Sequence, residues 1–520
     1  MTTSDSPILS SANPPVPQWL LLLLVSGVGA LLLWYASAWG VGVWPDSAEY
    51  IAAARRMDGF GALFTLPTEW APGYPVLLAL AYLVGDDVFA VTRVLQCLLF
   101  AGNLAAAMLL LRELLVQQGN NNSWLPVGGG VVLLFSQHLW QVNFYACSEG
   151  PFLLCQQLSA LVLLRYLAHN NFRLLGVAAA LAALALLFRY AGIAWVGAGS
   201  LALLLLQQGD LERRFRSAVI FGSLSLAPFL LWLIANKLLR DETTNREFVV
   251  HLVTRADFID LAGEFASWFA VRQGLFIFLV EVVLCVAVSW LALRRFATTA
   301  PPLRRFVVLS AVYVVVYTLV ILFSKSFLDA YIPFDDRMFV PAYLFSMLAL
   351  LACAHQLLLS ATEQRTRVIA MLALAFVGVF NAVGLLPVVA ATKKTGIGYL
   401  SAYMASLSQV EDVPQLHGKI VYSNAPDYLR MRTDFVIHDY PRKFSPTTQL
   451  ANPEYENELA TMRSSVQAGA ALLVHYQDLE WRSYFPPGAE LEMLGFETIL
   501  RGNGVRILSF PVAAPAPATE

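Results

Sequence analysis

Long runs of apolar residues, separated by short polar stretches, fill the chain from about residue 18 to residue 391. A run of roughly 18 or more apolar residues is long enough to cross a bilayer as a helix. The pattern predicts about eleven transmembrane helices, over 18–40, 90–111, 124–141, 150–168, 174–188, 190–206, 217–236, 272–293, 306–323, 338–359 and 368–391. The apolar run 74–84 is shorter, which is typical of an interfacial or re-entrant segment.

The pattern changes after about Lys393, where strand-like segments replace the long apolar runs. "KIVYS" and "ALLVHY" predict strands, and "ETILRGNGVRILSF" predicts a hairpin that turns at Asn503 and Gly504. We therefore divide the chain into a tail (1–17), a transmembrane domain (18–391) whose first outer loop is 41–89, an external α/β domain (392–512) and a disordered tail (513–520).

The composition supports a polytopic α-helical membrane protein. Of the 520 residues, 58% are hydrophobic and 13% are charged, and the mean hydropathy is +0.61. The net charge of -2 gives no basic field, so no nucleic-acid partner is predicted. The five cysteines lie in or beside apolar runs without metal-like spacing, and we interpret them as small apolar residues.

Basic residues indicate the orientation, because cytoplasmic loops of membrane proteins are enriched in Lys and Arg. They fall on alternate loops, at Arg112, Arg165, Arg173, 213–216, 294–295, 304–305, Arg365 and Arg367. This predicts a multi-pass protein of the plasma (inner) membrane with a cytoplasmic N-terminus and a periplasmic or extracellular C-terminal domain. "ASA" at Ala36 to Ala38 resembles a signal-peptide cleavage site, but the long apolar run before it favours a retained signal anchor.

The loops predicted to lie outside are rich in ionisable residues, which at a membrane boundary indicate a functional site. These candidates are Asp46, Glu49, Arg55, Arg56, Glu149, Arg189, Arg246, His251, Lys325, Asp335, Asp336 and Arg337. Cations at this position could bind the anionic headgroup of a substrate whose long apolar tail lies among the helices. A lipid phosphate is a substrate of this kind.

Each candidate also has a structural interpretation. Asp46 and Glu49 fit an N-cap and its capping-box partner, opening an interfacial helix "SAEYIAAARRM" with its apolar side in lipid. Arg55 and Arg56 then contact lipid phosphates.

The remaining candidates have similar alternatives. Lys325 and Arg337 fit interfacial side chains that extend to the membrane surface, and Glu149 and Arg189 fit a structural ion pair. Asp335 and Asp336 are either solvated loop charges or a cation site.

Several segments together resemble the GT-C superfamily of integral-membrane glycosyltransferases, in particular its protein mannosyltransferase and aminoarabinose transferase branch. They are "WPDSAEYIAAARRM" after the first span, "EWAPGYP" in the same loop, "CSEG" in the second outer loop and "DDRMFVP" before a late span. The resemblance covers roughly 18–391. It implies an inverting transferase that moves a sugar from a polyprenyl-phosphate donor to an acceptor hydroxyl on a glycan, lipid or protein. Membrane lipids are further expected partners.

The resemblance also implies residue roles. Asp46 takes the place of the acceptor-activating carboxylate, and Glu149 that of the second-loop acid. Substrate or phosphate binding falls to Glu49, Tyr50, Arg55, Arg56, Tyr74, Arg189, Arg246, His251, Lys325, Asp336 and Arg337. Some relatives carry a Lys before the loop proline, where this chain has Ala71 and Pro72, so that phosphate contact is absent. No cofactor is assigned; a divalent metal stays open, because no DxD motif appears.

Two other functions fit the same charges. A transporter or flippase of a lipid-linked or anionic solute places charges near the bilayer midplane and often has internal repeats. Here the charges cluster in loops and no repeat is evident, which favours the transferase. A scaffold subunit with a decayed site is the third alternative, because a fold alone does not establish activity.

Overall fold

The computed structural model describes residues 17–119, 124–244, 246–268, 301–360, 364–407, 409–479 and 482–511, together with residues 283, 287, 288, 290, 291 and 294. Almost all of the predicted N-terminal tail, most of the predicted span 272–293 and the predicted C-terminal tail lie outside these residues.

Helices make up most of the described chain up to Thr395. They are α1 (Gln18–Ala36), α2 (Pro45–Arg55), α3 (Gly73–Tyr82), α4 (Val88–Val116), α5 (Leu125–Leu134), α6 (Gln137–Phe144), α7 (Glu149–His169), α8 (Phe172–Phe188), α9 (Ile193–Leu206), α10 (Leu211–Arg240), α11 (Arg255–Ser267), α12 (Pro301–Phe327), α13 (Asp336–Ser360) and α14 (Gln364–Thr395).

Seven of these helices are long and apolar enough to cross a membrane, namely α1, α4, α7, α10, α12, α13 and α14. Shorter apolar helices include α3, α5, α8 and α9, the last with the turn before it. The polytopic α-helical architecture predicted from the sequence is confirmed. The predicted span 124–141 is divided, because α5 ends at Leu134 and Ser136 then caps α6 by accepting a hydrogen bond from Leu139 N–H at 3.3 Å.

The helices form one bundle with a continuous apolar core. Helix α7 packs against α8, and α4 packs against both α1 and α7. Close approach explains some of the small residues: a Cβ on Gly129 would lie 2.4 Å from Leu111 Cδ1, and one on Gly130 would lie 2.4 Å from Met108 Sδ. The glycines of "PVGGGVV" thus let α5 lie directly on α4.

One end of the bundle, which we call the loop face, gathers the segments predicted to lie outside. Gly42 forms a β-bridge with Tyr145, and Val43 forms one with Gly398, so three distant parts of the chain meet there. Gly398 has φ of +66°, and a Cβ at this position would lie 2.2 Å from the Val43 carbonyl oxygen. This contact requires glycine, and it fixes the first loop against the segment that follows α14.

The remainder of the chain forms a small sheet with helices, which we call the sheet domain, on the loop face. Its strands are β1 (Ile420–Ser423), β2 (Val436–Asp439), β3 (Ala471–Tyr476), β4 (Glu497–Arg501) and β5 (Val505–Ser509). Its helices are α15 (Ala402–Ser406), α16 (Pro426–Arg432), α17 (Tyr455–Gln467) and α18 (Gly488–Met493).

The strand order is β2-β1-β3-β5-β4, with β2, β1 and β3 parallel and with β5 antiparallel to both β3 and β4. The predicted strands and the hairpin at Asn503 and Gly504 are confirmed, and β2 is an additional strand. Helix α16 packs against α2, which joins the sheet domain to the first loop. The exact domain boundaries stay a prediction.

Candidate active site

Helix α2 begins two residues earlier than the capping interpretation requires. Pro45 occupies its first turn, Trp44 precedes it, and no side chain caps its backbone N–H groups. A proline suits this position because its fixed φ already matches the helix. The Asp46 carboxylate is turned away from the helix end, and its Oδ2 accepts a hydrogen bond from Arg337 Nη2 at 2.8 Å. The interpretation of Asp46 and Glu49 as a capping box is therefore wrong.

The apolar side of α2 packs against protein. Tyr50, Ile51 and Ala54 are at most 5% exposed. The Tyr50 ring lies edge-on to the rings of Trp70 and Tyr74, with centroid distances of 5.9 Å and 5.3 Å. The expectation that this side of α2 lies in lipid is wrong, because the helix is covered by α3 and α16.

Glu149 is the first residue of α7 and lies between two arginines. Arg189 occupies the extended break between α8 and α9, and its Nη1 is 2.5 Å from Glu149 Oε1. Arg337, in the first turn of α13, donates to the same oxygen through Nε. The Glu149 side chain is 1% exposed, and its second oxygen, Oε2, is buried without a hydrogen-bond partner among the described residues.

Arg337 therefore joins the two carboxylates that the sequence singled out. We call Asp46, Arg337, Glu149 and Arg189 the central network. Its formal charge is zero, with two carboxylates and two guanidiniums, and only Asp46 is substantially accessible, at 37% of its side chain. An accessible carboxylate beside buried cations can accept a proton while the cations stabilise developing negative charge.

Two further residues of α2 lie close to this network. Ser47 Oγ lies 3.1 Å from Cys147 Sγ, which ties the first loop to the second. Burial, together with the Asp46 carboxylate, raises the pKa of Tyr50 well above its usual value, so this phenol stays protonated. Tyr50 is thus a neutral hydrogen-bonding group and not a base.

The cations from the later loops have carboxylate partners of their own. Arg246 donates to Asp329 Oδ2 at 2.6 Å and lies 3.5 Å from the Glu69 carbonyl. Lys325 donates to the Ile332 carbonyl at 2.7 Å and lies 3.3 Å from Asp257.

The segment around His251 runs alongside the end of α12, because the His251 backbone N–H donates to the Ser326 carbonyl at 2.7 Å. The ring Nε2 of His251 is buried without a hydrogen-bond partner among the described residues. These residues shape the loop face, and none of them is hydrogen-bonded to the central network in the described chain.

Other candidates lie away from the central network. Glu49 accepts from Arg430 of α16 at 2.8 Å, and Arg55 donates to the Met431 carbonyl at 2.6 Å, so both bind the sheet domain. Arg56 is exposed at the end of α2. Tyr74 is fully buried and its hydroxyl accepts from Gln96 at 2.5 Å.

Asp335 and Asp336 have different environments. Asp335 caps the following turn by accepting from Met338 N–H at 3.0 Å, and burial raises its pKa above the usual value. Asp336 Oδ1 lies 3.2 Å from His138 Nδ1, and Glu264 completes a group whose three potential ligand atoms lie within 4.8 Å of one another. Asp336 is therefore not a simple solvated loop charge.

Sequence reasoning missed His138 and Glu264. His138 carried a signal, because it is an ionisable residue inside the predicted span 124–141. Glu264 has no local signal: it lies on an amphipathic helix in a loop with many charged residues, and only the fold brings it to Asp336.

The fold matches that of solved membrane proteins. ArnT from Cupriavidus metallidurans bound to undecaprenyl phosphate is 16% identical to this chain with a TM-score of 0.55, and the match covers 96% of this chain and 99% of that chain. ArnT in the apo state is 14% identical with a TM-score of 0.54, covering 95% of this chain and 98% of that chain. No protein-family model matches the sequence, and no curated protein matches it.

The similarity extends over nearly the full length of both chains, including the sheet domain. The chain therefore has the fold of ArnT.

Proposed function

We propose that this protein is an inverting glycosyltransferase that moves a sugar from a polyprenyl-phosphate donor to an acceptor hydroxyl at the outer face of the plasma (inner) membrane. The observation that carries the proposal is the central network, in which an accessible carboxylate lies against buried arginines at the loop face. The fold supports it, because ArnT with the same architecture was solved bound to undecaprenyl phosphate.

Asp46 is the proposed general base. The acceptor oxygen attacks the anomeric carbon, its proton passes to an Asp46 oxygen, and the bond from that carbon to the phosphate oxygen breaks. The polyprenyl phosphate leaves with the bonding electron pair, and the single displacement inverts the anomeric configuration. A positioned base of this kind contributes on the order of 10²–10⁴-fold to a rate.

Arg337 is the proposed contact for the leaving phosphate. Its Nε and Nη2 atoms are directed to Glu149 and Asp46, and its planar guanidinium carries further N–H groups. Its side chain is 23% exposed, so it is partly accessible, although less so than Asp46. Negative charge on the departing phosphate is then stabilised by a cation that is already in place.

Glu149 is proposed to position these cations. Because its Oε1 atom accepts from both Arg189 and Arg337 and its side chain is almost fully buried, it orients the guanidiniums without facing solvent. We thus assign different roles to the two acids that the sequence paired: Asp46 to proton transfer, and Glu149 to orientation.

The basic residues support the outer face, because those of the described chain that are predicted to be cytoplasmic, such as Arg112 and Arg165, lie at helix ends away from the loop face. Arg165 and Glu113, paired at 2.8 Å, mark that opposite end. The donor's polyprenyl chain is expected to lie among the helices, with its phosphate at the loop face. The acceptor class, whether glycan, lipid or protein, is left to experiment.

The test is sugar transfer from synthetic radiolabelled polyprenyl-phosphate sugars, mannose first, in membranes that contain the wild type or Asp46→Asn. We expect Asp46→Asn to lose on the order of 10²-fold or more of the wild-type rate. Asp58→Asn is the matched control, because Asp58 is an exposed aspartate of the same loop, and it should transfer normally.

Equal transfer by Asp46→Asn and the wild type would contradict the assignment of the base. Solute uptake into vesicles without any sugar transfer would instead support the transporter alternative.

A further inference from the structure

His138, Glu264 and Asp336 converge from three separate helices beside the central network. Their potential ligand atoms lie within 4.8 Å of one another. His138 and Glu264 are each 6% exposed, whereas the Asp336 side chain is 29% exposed. The three residues thus form a compact group that is buried on one side and open on the other.

The hydrogen bond of His138 fixes which ring nitrogen faces the carboxylates. Its Nε2 lies 3.2 Å from the Ser267 carbonyl oxygen, which can only accept, so Nε2 carries a proton. Nδ1 then faces Asp336 Oδ1 at 3.2 Å, in a geometry that makes no hydrogen bond. A buried nitrogen that faces a carboxylate requires a cation or a further proton between them.

The groups around the cluster hold its members in this arrangement. The Trp268 indole N–H donates to Glu264 Oε1 at 3.2 Å, and the Ser267 hydroxyl lies 3.4 Å from Asp336 Oδ1. Metal-ligating histidines commonly donate their second N–H to a backbone carbonyl, and ligating carboxylates are commonly hydrogen-bonded in turn. This is the arrangement at His138, Glu264 and Asp336.

We propose that His138 Nδ1, Glu264 and Asp336 bind one divalent metal ion of the zinc class. One imidazole and two carboxylates suit such an ion, and three protein ligands leave a coordination position open toward the exposed side of Asp336. A divalent charge balances both carboxylates. Ligand distances of about 2.0–2.2 Å require only a small contraction of the cluster.

The ion also fixes the neighbouring residue. Asp336 and Arg337 are adjacent in the first turn of α13, and their side chains face opposite ways, toward His138 and toward Glu149. A metal at Asp336 thus anchors α13 to α6 and α11 and holds Arg337 toward the central network. The site is argued from these contacts alone and does not depend on which reaction the central network performs.

The experiment uses the purified full-length protein, stripped with a chelator and then titrated with Zn²⁺ against a chromophoric competitor. We expect one Zn²⁺ per chain, confirmed by elemental analysis. His138→Gln and Glu264→Gln should each weaken Zn²⁺ binding by on the order of 10–100-fold or more. His169→Gln is the matched control, because His169 is exposed at the end of α7, and it should bind as the wild type does.

Thermal unfolding gives a second measurement. Zn²⁺ should raise the unfolding temperature of the wild type, because a ligand that binds only the folded state stabilises it. The same Zn²⁺ concentration should not raise the unfolding temperature of Glu264→Gln. Because glutamine preserves the shape of the glutamate side chain, this variant serves as the test if His138→Gln fails to fold. Both measurements are made without donor or acceptor, so their failure is distinguishable from failure of the proposed transferase function.

A wild type that binds no Zn²⁺ would overturn the proposal, as would binding that is unchanged in both His138→Gln and Glu264→Gln. Either result would mean that a shared proton, and not a metal, holds the three side chains together.

Discussion

Two ion-pair networks begin on neighbouring turns of α2 and lead to opposite halves of the protein. Asp46 pairs with Arg337, which binds Glu149 beside Arg189. Glu49 pairs with Arg430 at 2.8 Å, and Arg430 also binds Asp439. Arg442 lies 2.5 Å from the other oxygen of Asp439. We call the second set, Glu49, Arg430, Asp439 and Arg442, the interdomain network.

The two networks alternate acids and arginines in the same way but differ in exposure. In the central network Asp46, the last member of the series of ion pairs, is 37% exposed, while Glu149 is almost fully buried. In the interdomain network the side chains of Glu49 and Asp439 are similarly exposed, at 20% and 24%. One network thus contains an accessible carboxylate, and the other joins the first loop to the sheet domain. Local sequence does not distinguish Asp46 from Glu49; their tertiary partners do.

Arg337→Met should have the largest effect, because it breaks both ends of the central network. Glu149 keeps only Arg189, and Asp46 loses the partner seen here. Removing one partner of a buried ion pair costs about 3 kcal/mol or more in the free energy of unfolding. Sugar transfer should fall by on the order of 10²-fold or more, because a phosphate-stabilising cation is lost.

Unfolding can be followed with a thiol-reactive fluorophore, because Cys97, Cys147, Cys155 and Cys353 are free and buried. Arg337→Lys keeps the charge but not the two-sided geometry, and should restore stability better than it restores transfer. Wild-type transfer by Arg337→Met would remove the arginine from the proposed mechanism.

Glu149→Gln should be the next largest change, because it leaves Arg189 and Arg337 facing each other without their shared carboxylate. We expect a loss of about 2–3 kcal/mol in the free energy of unfolding, together with reduced transfer. Glu113→Gln is a matched control: Glu113 is a buried acid at the opposite end of the bundle, and its partner Arg165 is 46% exposed.

Glu113→Gln should cost less stability and leave transfer unchanged, because Arg165 can turn to solvent. If the two variants behave alike in both assays, Glu149 has only the role of a structural ion pair.

Arg430→Met breaks the interdomain network. Glu49, Arg430 and Asp439 are each about 20–24% exposed, so the expected loss is smaller, about 1 kcal/mol in the free energy of unfolding. The contact between α16 and α2 should loosen, which limited proteolysis between Thr395 and β1 would detect as faster cleavage. Arg501→Met, at an exposed position of β4, should be cleaved as the wild type is.

Transfer by Arg430→Met should stay well above that of Arg337→Met. A loss of transfer as severe as that of Arg337→Met would show that the two networks are functionally one.

The sequence predicted the features that depend on long or periodic patterns. The spans, the strands around Val421 and Val474 and the turn at Gly504 all follow from local hydrophobicity and turn chemistry. The loop acids and arginines were also identifiable, because ionisable residues beside membrane spans are energetically unfavourable and therefore indicate a functional site. These signals are local, so they survive without knowledge of the fold.

Partner choice was not predictable in the same way. Arg337 joins Asp46 across 291 positions, and Arg430 joins Glu49 across 381. Nothing near Arg55 indicates that it binds the sheet domain, and nothing near Glu264 indicates that it meets His138 and Asp336. The capping interpretation of Asp46 failed for the same reason: a tertiary guanidinium competes with the local backbone for the carboxylate.

Glu49→Gln should have the smallest effect, and it tests the interdomain network through its pH dependence. Burial raises the pKa of Glu49 above its usual 4.5, even though Arg430 acts to lower it. The folded protein thus binds a proton at Glu49 more readily than the unfolded chain does. The contribution of Glu49 to the free energy of unfolding is then greatest below pH 4.5 and declines as the pH rises through its folded pKa.

Asp439 has the opposite sign in a separate pH range. Burial acts to raise the pKa of Asp439, but attraction to Arg430 and Arg442 outweighs this effect, so the pKa lies below its usual 3.8. Its contribution to the free energy of unfolding is therefore lost only as the pH falls below 3.8. Between pH 4.5 and neutrality the change from this acid pair therefore comes from Glu49. Glu49→Gln cannot ionise, so its unfolding temperature should gain on that of the wild type as the pH rises, whereas exposed Glu497→Gln should show no such trend. If the unfolding temperature of Glu49→Gln instead falls relative to that of the wild type as the pH rises, attraction to Arg430 outweighs burial at Glu49.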